Sequence, residues 1–314
     1  MGGVSAGEAW DLPVGPFIPG AMPPLPAASW TIAVVNDAAA PREPRAATGP
    51  GLHEDAAVIA DLSGVRAVPL SMVSRDAAHL ATTLHRLPLD IGAIFLTRTD
   101  LARARETQQL LTELGGRPLV IDDDARAITL TAALLTYLTR LHRPLPTSRV
   151  MIAGAASLPL MCPMLLSAGI FDITLWNPQD ARCAALARVA RDADAVINLL
   201  GPDPELARVA LDRPCGSVIG LDGDTDHLLA LPGLFRAIAG SPGPLVDIEA
   251  YAACARGLMA AAPPHRLLPS LRSPDLTYEV AAAASQVFNP VPPPFGRSWR
   301  LFPSRRQRDR PEQR

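Results

Sequence analysis

Gly154 ends a β-like run, Arg149 to Ala153 (RVMIA), and opens the segment GAASLP ahead of an apolar helical stretch, Leu160 to Ala168. A strand, a tight turn and a helix in that order can cradle a diphosphate, because backbone amides of the turn and helix N-terminus face the anion. The usual pattern is G-x-G-x-x-G, whose glycines allow the turn, the approach of the phosphates and close helix–strand packing. Only Gly154 keeps its glycine in this chain, while Ala155, Ala156 and Ser157 keep small side chains. The following strand, Asp172 to Trp176, ends at Asn177, where an acid would grip a ribose. Asn177 can still bond a hydroxyl and Arg182 can tolerate a 2′-phosphate, so NAD and NADP both stay open as cofactors. Asn198, within the strand-like AVINLL, completes the cofactor-binding candidates.

The chain contains no lysine, and all 29 of its basic residues are arginine. Guanidinium stays charged at physiological pH, so no residue can serve as a lysine base or Schiff-base nucleophile. Six histidines (His53, His79, His85, His142, His227, His265) show no metal-ligand spacing, and there is no G-x-S-x-G elbow. Four cysteines (Cys162, Cys183, Cys215, Cys254) are widely spaced with no C-x-x-C, which reads as small buried hydrophobes in a reducing compartment. The acids Asp122, Asp123 and Asp124 follow a short apolar run and suit a strand end or a helix cap.

These residues need a scaffold, and the hydrophobic pattern supplies one. Residues 1–29 are rich in Pro and Gly and read as an extended arm. Strands are expected at 30–35, 67–73, 91–96 and 118–121, with helices at 54–63, 74–86, 101–114 and 125–141. The second half predicts strands at 149–153, 172–176, 195–200 and 217–221, alternating with helices at 160–168, 180–191 and 205–211. Such alternation argues for parallel sheets covered on both faces. The expected fold class is α/β: an N-terminal α/β domain (30–125) followed by a Rossmann-like doubly wound parallel-sheet domain (126–287). No internal repeat is visible. Residues 288–314, rich in Pro and then Arg, read as a disordered tail.

Net charge of −2 and a pI near 6.3 give no electrostatic case for nucleic acid. The N-terminus lacks a basic export signal, and the apolar stretches fall short of the roughly 18 residues of a membrane span. A cytoplasmic location is the expectation.

Several segments, taken in order, resemble malic enzyme. They are AVIADLSGVRAVPL…LPLDIGAIFL, RPLVIDDD, ITLTAALLTYL, RVMIAGA…LLSAGIFDITLWNP, DADAVINLL, LLALPGLFRA and LLPSLRSPDLTYEVAAAAS, spread over roughly residues 15–285. The resemblance implies NAD(P)-linked oxidation of malate and decarboxylation of oxaloacetate, using a divalent metal, a lysine base and a tyrosine acid. Carried over position by position, most of that machinery is replaced. The family's tyrosine segment is matched by Phe17-Ile18-Pro19-Gly20, which puts Phe17 at the tyrosine, and Asp55 stands at the lysine. Thr97 and Arg98 stand at the metal-binding Glu-Asp, and the third carboxylate survives among Asp122 and Asp123. Asp226-His227 stands at the Asn-Asn ahead of Leu231-Pro232-Gly233, and PREPRAATGPG replaces the Gly-rich substrate loop. A hydroxyl and a cation in place of two anionic ligands argue against a metal site. The expectation is a malic-enzyme-like protein with a degenerate site that binds NAD(P), a small carboxylate or a partner. The partner would be a second copy or an intact malic enzyme. An active oxidoreductase, either on malate or with altered chemistry through Arg98 and His227 or Asp55, is the alternative.

Overall fold

The computed structural model describes residues 30–41, 51–182, 184–221, 225–241 and 246–289. The expected arm and the Phe17 segment lie outside them, as does the expected tail beyond Asn289, whereas Phe288, the expected start of that tail, ends the last helix. The first unit comprises β1 (Thr31–Asp37), α1 (Leu52–Ser63), β2 (Arg66–Met72), α2 (Ala77–His85), β3 (Ile91–Leu96), α3 (Leu101–Glu113) and β4 (Leu119–Ile121). α4 (Asp122–Arg140) leads to β5 (Arg149–Ala153), α5 (Met161–Ser167), β6 (Asp172–Trp176), α6 (Leu186–Ala190), β7 (Ala195–Asn198), α7 (Pro204–Leu211) and β8 (Val218–Ile219). Three helices close the described chain: α8 (Leu231–Ala239), α9 (Ile248–Ala260) and α10 (Leu276–Phe288).

All strand pairs are parallel, in the orders β2-β1-β3-β4 and β6-β5-β7-β8. The two sheets thus share one strand order that the sequence does not betray as a repeat. In each, the chain leaves the central strand to one side and returns on the other. This leaves a crevice outside the strand C-termini between β1 and β3, and again between β5 and β7, the place where open α/β sheets bind ligands.

The central strands are apolar on both faces because both faces are covered. On β1, Ala33 and Val35 pack with Leu80, Leu84, Ala104 and Leu111 of α2 and α3. Ile32 and Val34 face the opposite way, into a cluster containing Ile59 of α1, Ile128 of α4 and Leu234 of α8. The same cluster takes in Val150 and Ile152 of β5 and Leu258 of α9, so one apolar core joins the two sheets through α4. Met151, Ala153 and Val196 form the outer core of the second sheet with α6 and α7. The doubly wound arrangement expected from the alternating pattern is what forms.

α4 starts at Asp122, three residues before the expected position, because its acids serve as its first turn. Asp124 Oδ2 accepts from Ile121 N at 3.2 Å, and negative charge suits a helix N-terminus. The helix expected over 180–191 forms only as a short 3₁₀ turn, Pro178–Arg182, and α6. Trp176 Nε1 donates to Ala184 O at 2.9 Å, taking the carbonyl that a continuous helix would give to Arg188. Arg188 N turns to Ala185 O instead. The strand expected to reach Leu200 stops at Asn198, whose Oδ1 accepts from Leu200 N at 2.9 Å. That expected over 217–221 reduces to the two residues of β8.

The terminal helices meet around Val280. A Cβ on Gly257 would lie 2.7 Å from Glu279 O and from Val280 Cα, and one on Gly233 would lie 2.5 Å from Val280 Cβ. Gly233 in the LPG segment is therefore a packing residue, letting α8 approach α10. No described helix is long and apolar enough to cross a membrane.

Candidate functional site

The crevice of the first sheet is framed by a buried carboxylate. Asp37, the last residue of β1, is fully buried, and its Oδ1 accepts from Ala39 N and Ser74 N at 3.0 Å each. Its Oδ2 takes Arg103 Nη1 at 2.7 Å, and that same nitrogen donates to Ser74 O at 2.9 Å. Asp37 thus fastens the end of β1, the loop after β2 and α3 together. Sequence inspection passed over it, since one acid after an apolar run carries no distinguishing signal.

Beside it, Arg98 follows β3 by two residues and Asp122 follows β4 directly. Arg98 has φ +55°, a left-handed conformation unusual for a side chain other than glycine. Its amide donates to Asp122 Oδ2 at 2.7 Å. Its guanidinium donates to Asp55 Oδ2 through Nη2 at 3.0 Å and Nε at 3.3 Å. Asp55, in the first turn of α1, is 0% exposed while Arg98 is 37% exposed at the side chain. The cation therefore sits at the crevice with its charge turned inward onto a buried partner. Burial pushes the Asp55 carboxyl up to about 6 despite Arg98, and Asp122 adds to the rise. Asp55 Oδ1 and Asp122 Oδ1 are buried without a hydrogen-bond partner among the described residues.

Thr97 is buried at the end of β3, next to this pair. Asp123 is buried, with Arg126 Nη1 at 3.4 Å. Asp124 belongs to a separate closed network, taking Arg105 Nη1 at 2.6 Å, Gln108 Nε2 at 2.7 Å and the Tyr251 hydroxyl at 2.9 Å. Burial, then Asp124, holds the Tyr251 phenol well above its usual range, so it keeps its proton. Asp226 and His227 lie in a 3₁₀ turn packed on α4, where Thr129 Oγ1 donates to Asp226 O at 3.1 Å. The geometry thus brings Asp55, Thr97, Arg98 and Asp122 together. No group of three or more His, Cys, Asp or Glu side chains placed to hold a metal occurs among the described residues.

The second crevice holds the cofactor candidates. Gly154 has φ +85°, and a Cβ there would come 2.9 Å from Leu200 Cδ2 and 3.2 Å from the Leu199 carbonyl carbon. Glycine is required by the turn and by Leu199-Leu200 beneath it. Ala156 N donates to Asn177 Oδ1 at 2.8 Å, Ser157 N to Gly154 O at 3.0 Å, and Leu158 N to Ala155 O at 3.3 Å. Ser157 Oγ turns back onto Gly154 O at 2.8 Å. Asn198 closes its own turn, with Nδ2 on Gly201 O at 2.9 Å. The six candidates flank the β5–β7 crevice. Asn177 bridges two strand ends, whereas Ser157 and Asn198 turn their polar atoms inward.

A cleft of about 290 Å³ opens beside this turn, its apolar lining formed by Ile152, Ala155, Leu158, Pro159, Cys162 and Leu175, with Ala156 and Asn177 also in its wall. Cys162 is thus a cleft residue and Cys215 is exposed, so only Cys254 is the buried hydrophobe expected of the described cysteines. Burial pushes its thiol up to about 12.

The sequence matches no protein-family model and no curated protein. Solved structures do match. An NAD-dependent malic enzyme from Thermotoga maritima superposes with a TM-score of 0.68 at 17% identity, over 82% of this chain and 84% of that one. A malic enzyme from Entamoeba histolytica gives 0.69 at 18%, over 82% and 69% of the chains. One from Pyrococcus horikoshii gives 0.68 at 16%, over 82% and 76%. The chain has a malic-enzyme-like fold.

Proposed function

We propose that this protein keeps the malic-enzyme scaffold without metal-dependent malate oxidation, and acts as a non-catalytic ligand-binding or partner protein. The observation that carries the reading is the Arg98–Asp55 pair, 3.0 Å apart at the crevice of the first sheet. The resemblance assigns the two metal-binding acids to Thr97 and Arg98, and the lysine base to Asp55. A divalent ion there would meet a guanidinium, and a double and a single positive charge about 4 Å apart repel by roughly 8 kcal/mol at a surface-like dielectric. The residues present do not fit a divalent metal. Nor do they favour malate, since Asp55 adds negative charge and takes two of the five Arg98 donors, on Nε and Nη2.

Around the second crevice, the fit to NAD or NADP is partial. Asn177 and the apolar wall suit a nucleoside, whereas three turn amides are already bonded within the protein. A cytoplasmic setting and association with a second copy or an intact malic enzyme belong to the same reading.

One observation favours a second reading. A carboxyl held at about 6 opposite a partly exposed arginine is an arrangement for proton transfer to an anionic substrate. Absorbance at 340 nm with L-malate and other 2-hydroxy acids, NAD⁺ or NADP⁺, and Mn²⁺ separates the two. We expect no substrate-dependent reduction with any pair. Metal-independent turnover with a pH limb near 6, lost in Asp55→Asn, would establish the second reading instead.

A further inference from the structure

We infer that the cleft between β5, β6 and α5 binds an uncharged, mainly apolar ring-bearing molecule with a hydrogen-bond acceptor, and does not accept a dinucleotide diphosphate. The inference rests on the reading of the chain as a ligand-binding protein and names the ligand class for its second crevice.

A phosphate cradle works through free backbone amides and a helix N-terminus aimed at the anion. This turn has already used four of its amides. Those of Ala156, Ser157 and Leu158 are bonded to Asn177, Gly154 and Ala155, and that of Met161 to Leu158 O at 2.9 Å. Pro159 and Pro163 supply no amide at all. α5 begins only at Met161, seven residues beyond Gly154, and spans seven residues in all, too short for a strong N-terminal field. Charge points the same way. The described residues lining the cleft include no cation, while the Asp180 carboxylate accepts from Asn177 N at 2.8 Å and sets a negative charge beside the mouth.

What remains suits a different ligand. Ile152, Ala155, Leu158, Pro159, Cys162 and Leu175 offer an apolar wall. The volume of about 290 Å³ falls at the small end of the roughly 300–1,000 Å³ typical of small-molecule sites. Such a space holds a ring system. Asn177 spends Oδ1 on Ala156 N, which orients the amide and leaves Nδ2 as its donor for a ligand carbonyl or ring nitrogen. Leu175, on edge strand β6, is 51% exposed and would be covered by an occupant.

Fluorescence titration of the full chain with N-phenyl-1-naphthylamine, an uncharged apolar probe, tests this. We expect saturable enhancement at one site per chain, undiminished by millimolar NAD⁺ or ADP-ribose. Leu175→Arg, at an exposed edge position that leaves the fold intact, should weaken the probe by at least about tenfold, or 1.4 kcal/mol. Circular dichroism melting confirms that this variant is folded. Competitive displacement of the probe by ADP-ribose would overturn the inference, as would non-saturable binding or binding indifferent to Leu175→Arg. Malate turnover would refute the proposed function while leaving the outcome of this titration to stand by itself.

Discussion

Asp37→Ala is expected to destabilise the protein by about 3–5 kcal/mol, the largest loss for any single side chain around the first crevice. The carboxylate is 0% exposed and accepts from two backbone amides and from Arg103. Alanine would leave the Ser74 amide buried without an acceptor and Arg103, 21% exposed, without its counter-charge. Such a loss is a large share of the roughly 5–15 kcal/mol that separates folded from unfolded domains. Asp37→Asn should cost nearly as much, because its amide would present donors to Arg103. Urea unfolding at neutral pH measures both, with Asp76→Ala as the comparison. Asp76 is a half-exposed cap that accepts from His79 N at 2.7 Å, worth about 1 kcal/mol. Equal losses at Asp37 and Asp76 would show that the clamp at β1 does not hold the crevice together.

Asp55→Asn should behave in the opposite way. The Asp55 carboxyl titrates near 6 in the folded chain against an ordinary value of 3.8, so folding opposes its ionisation. At about 1.4 kcal/mol per pH unit, the cost is about 3 kcal/mol where Asp55 is ionised in both states. The sign follows from proton binding: between about pH 4 and 6 the folded state holds a proton that the unfolded state has lost. Wild-type stability relative to the asparagine variant therefore rises as pH falls from about 7 to 4. Asparagine should be more stable by up to about 3 kcal/mol at pH 7.5, and the two proteins should converge near pH 4. Chemical denaturation across that range, taken as the difference between the proteins, cancels every other carboxylate. A difference that is flat, or that favours wild type more at pH 7.5, would mean that Arg98 over-compensates the burial of Asp55.

Much of the fold was legible because the central strands are uninterrupted apolar runs. The segments at 30–35, 91–96 and 149–153 read as covered strands, and Gly115-Gly116 and Gly154 marked true breaks. Sequence reading failed where a tertiary contact outbid local propensity. Trp176 took a carbonyl from the helix expected over 180–191, and no pattern near either residue announces that bond. The site was legible in part. Resemblance placed Asp55 and Arg98 in one region although 43 residues separate them, and they do meet. Their spacing alone carried no such information. The left-handed backbone of Arg98 and the clamp at Asp37 left no trace, since both depend on neighbours brought in by other strands. Gly154 was read correctly as a tight turn. Its second reason for being glycine, the close approach of Leu199 and Leu200, exists only once β7 lies beside β5.

The measurement that bears most directly on the central claim is electron paramagnetic resonance of Mn²⁺ titrated with the 314-residue chain, with and without L-malate. The free-ion signal should persist at full intensity through protein concentrations in the hundreds of micromolar, because Arg98 and Asp55 already neutralise one another where the metal would sit. Saturable loss of the signal at one ion per chain, relieved by Asp122→Asn, would show that the crevice still holds a catalytic metal.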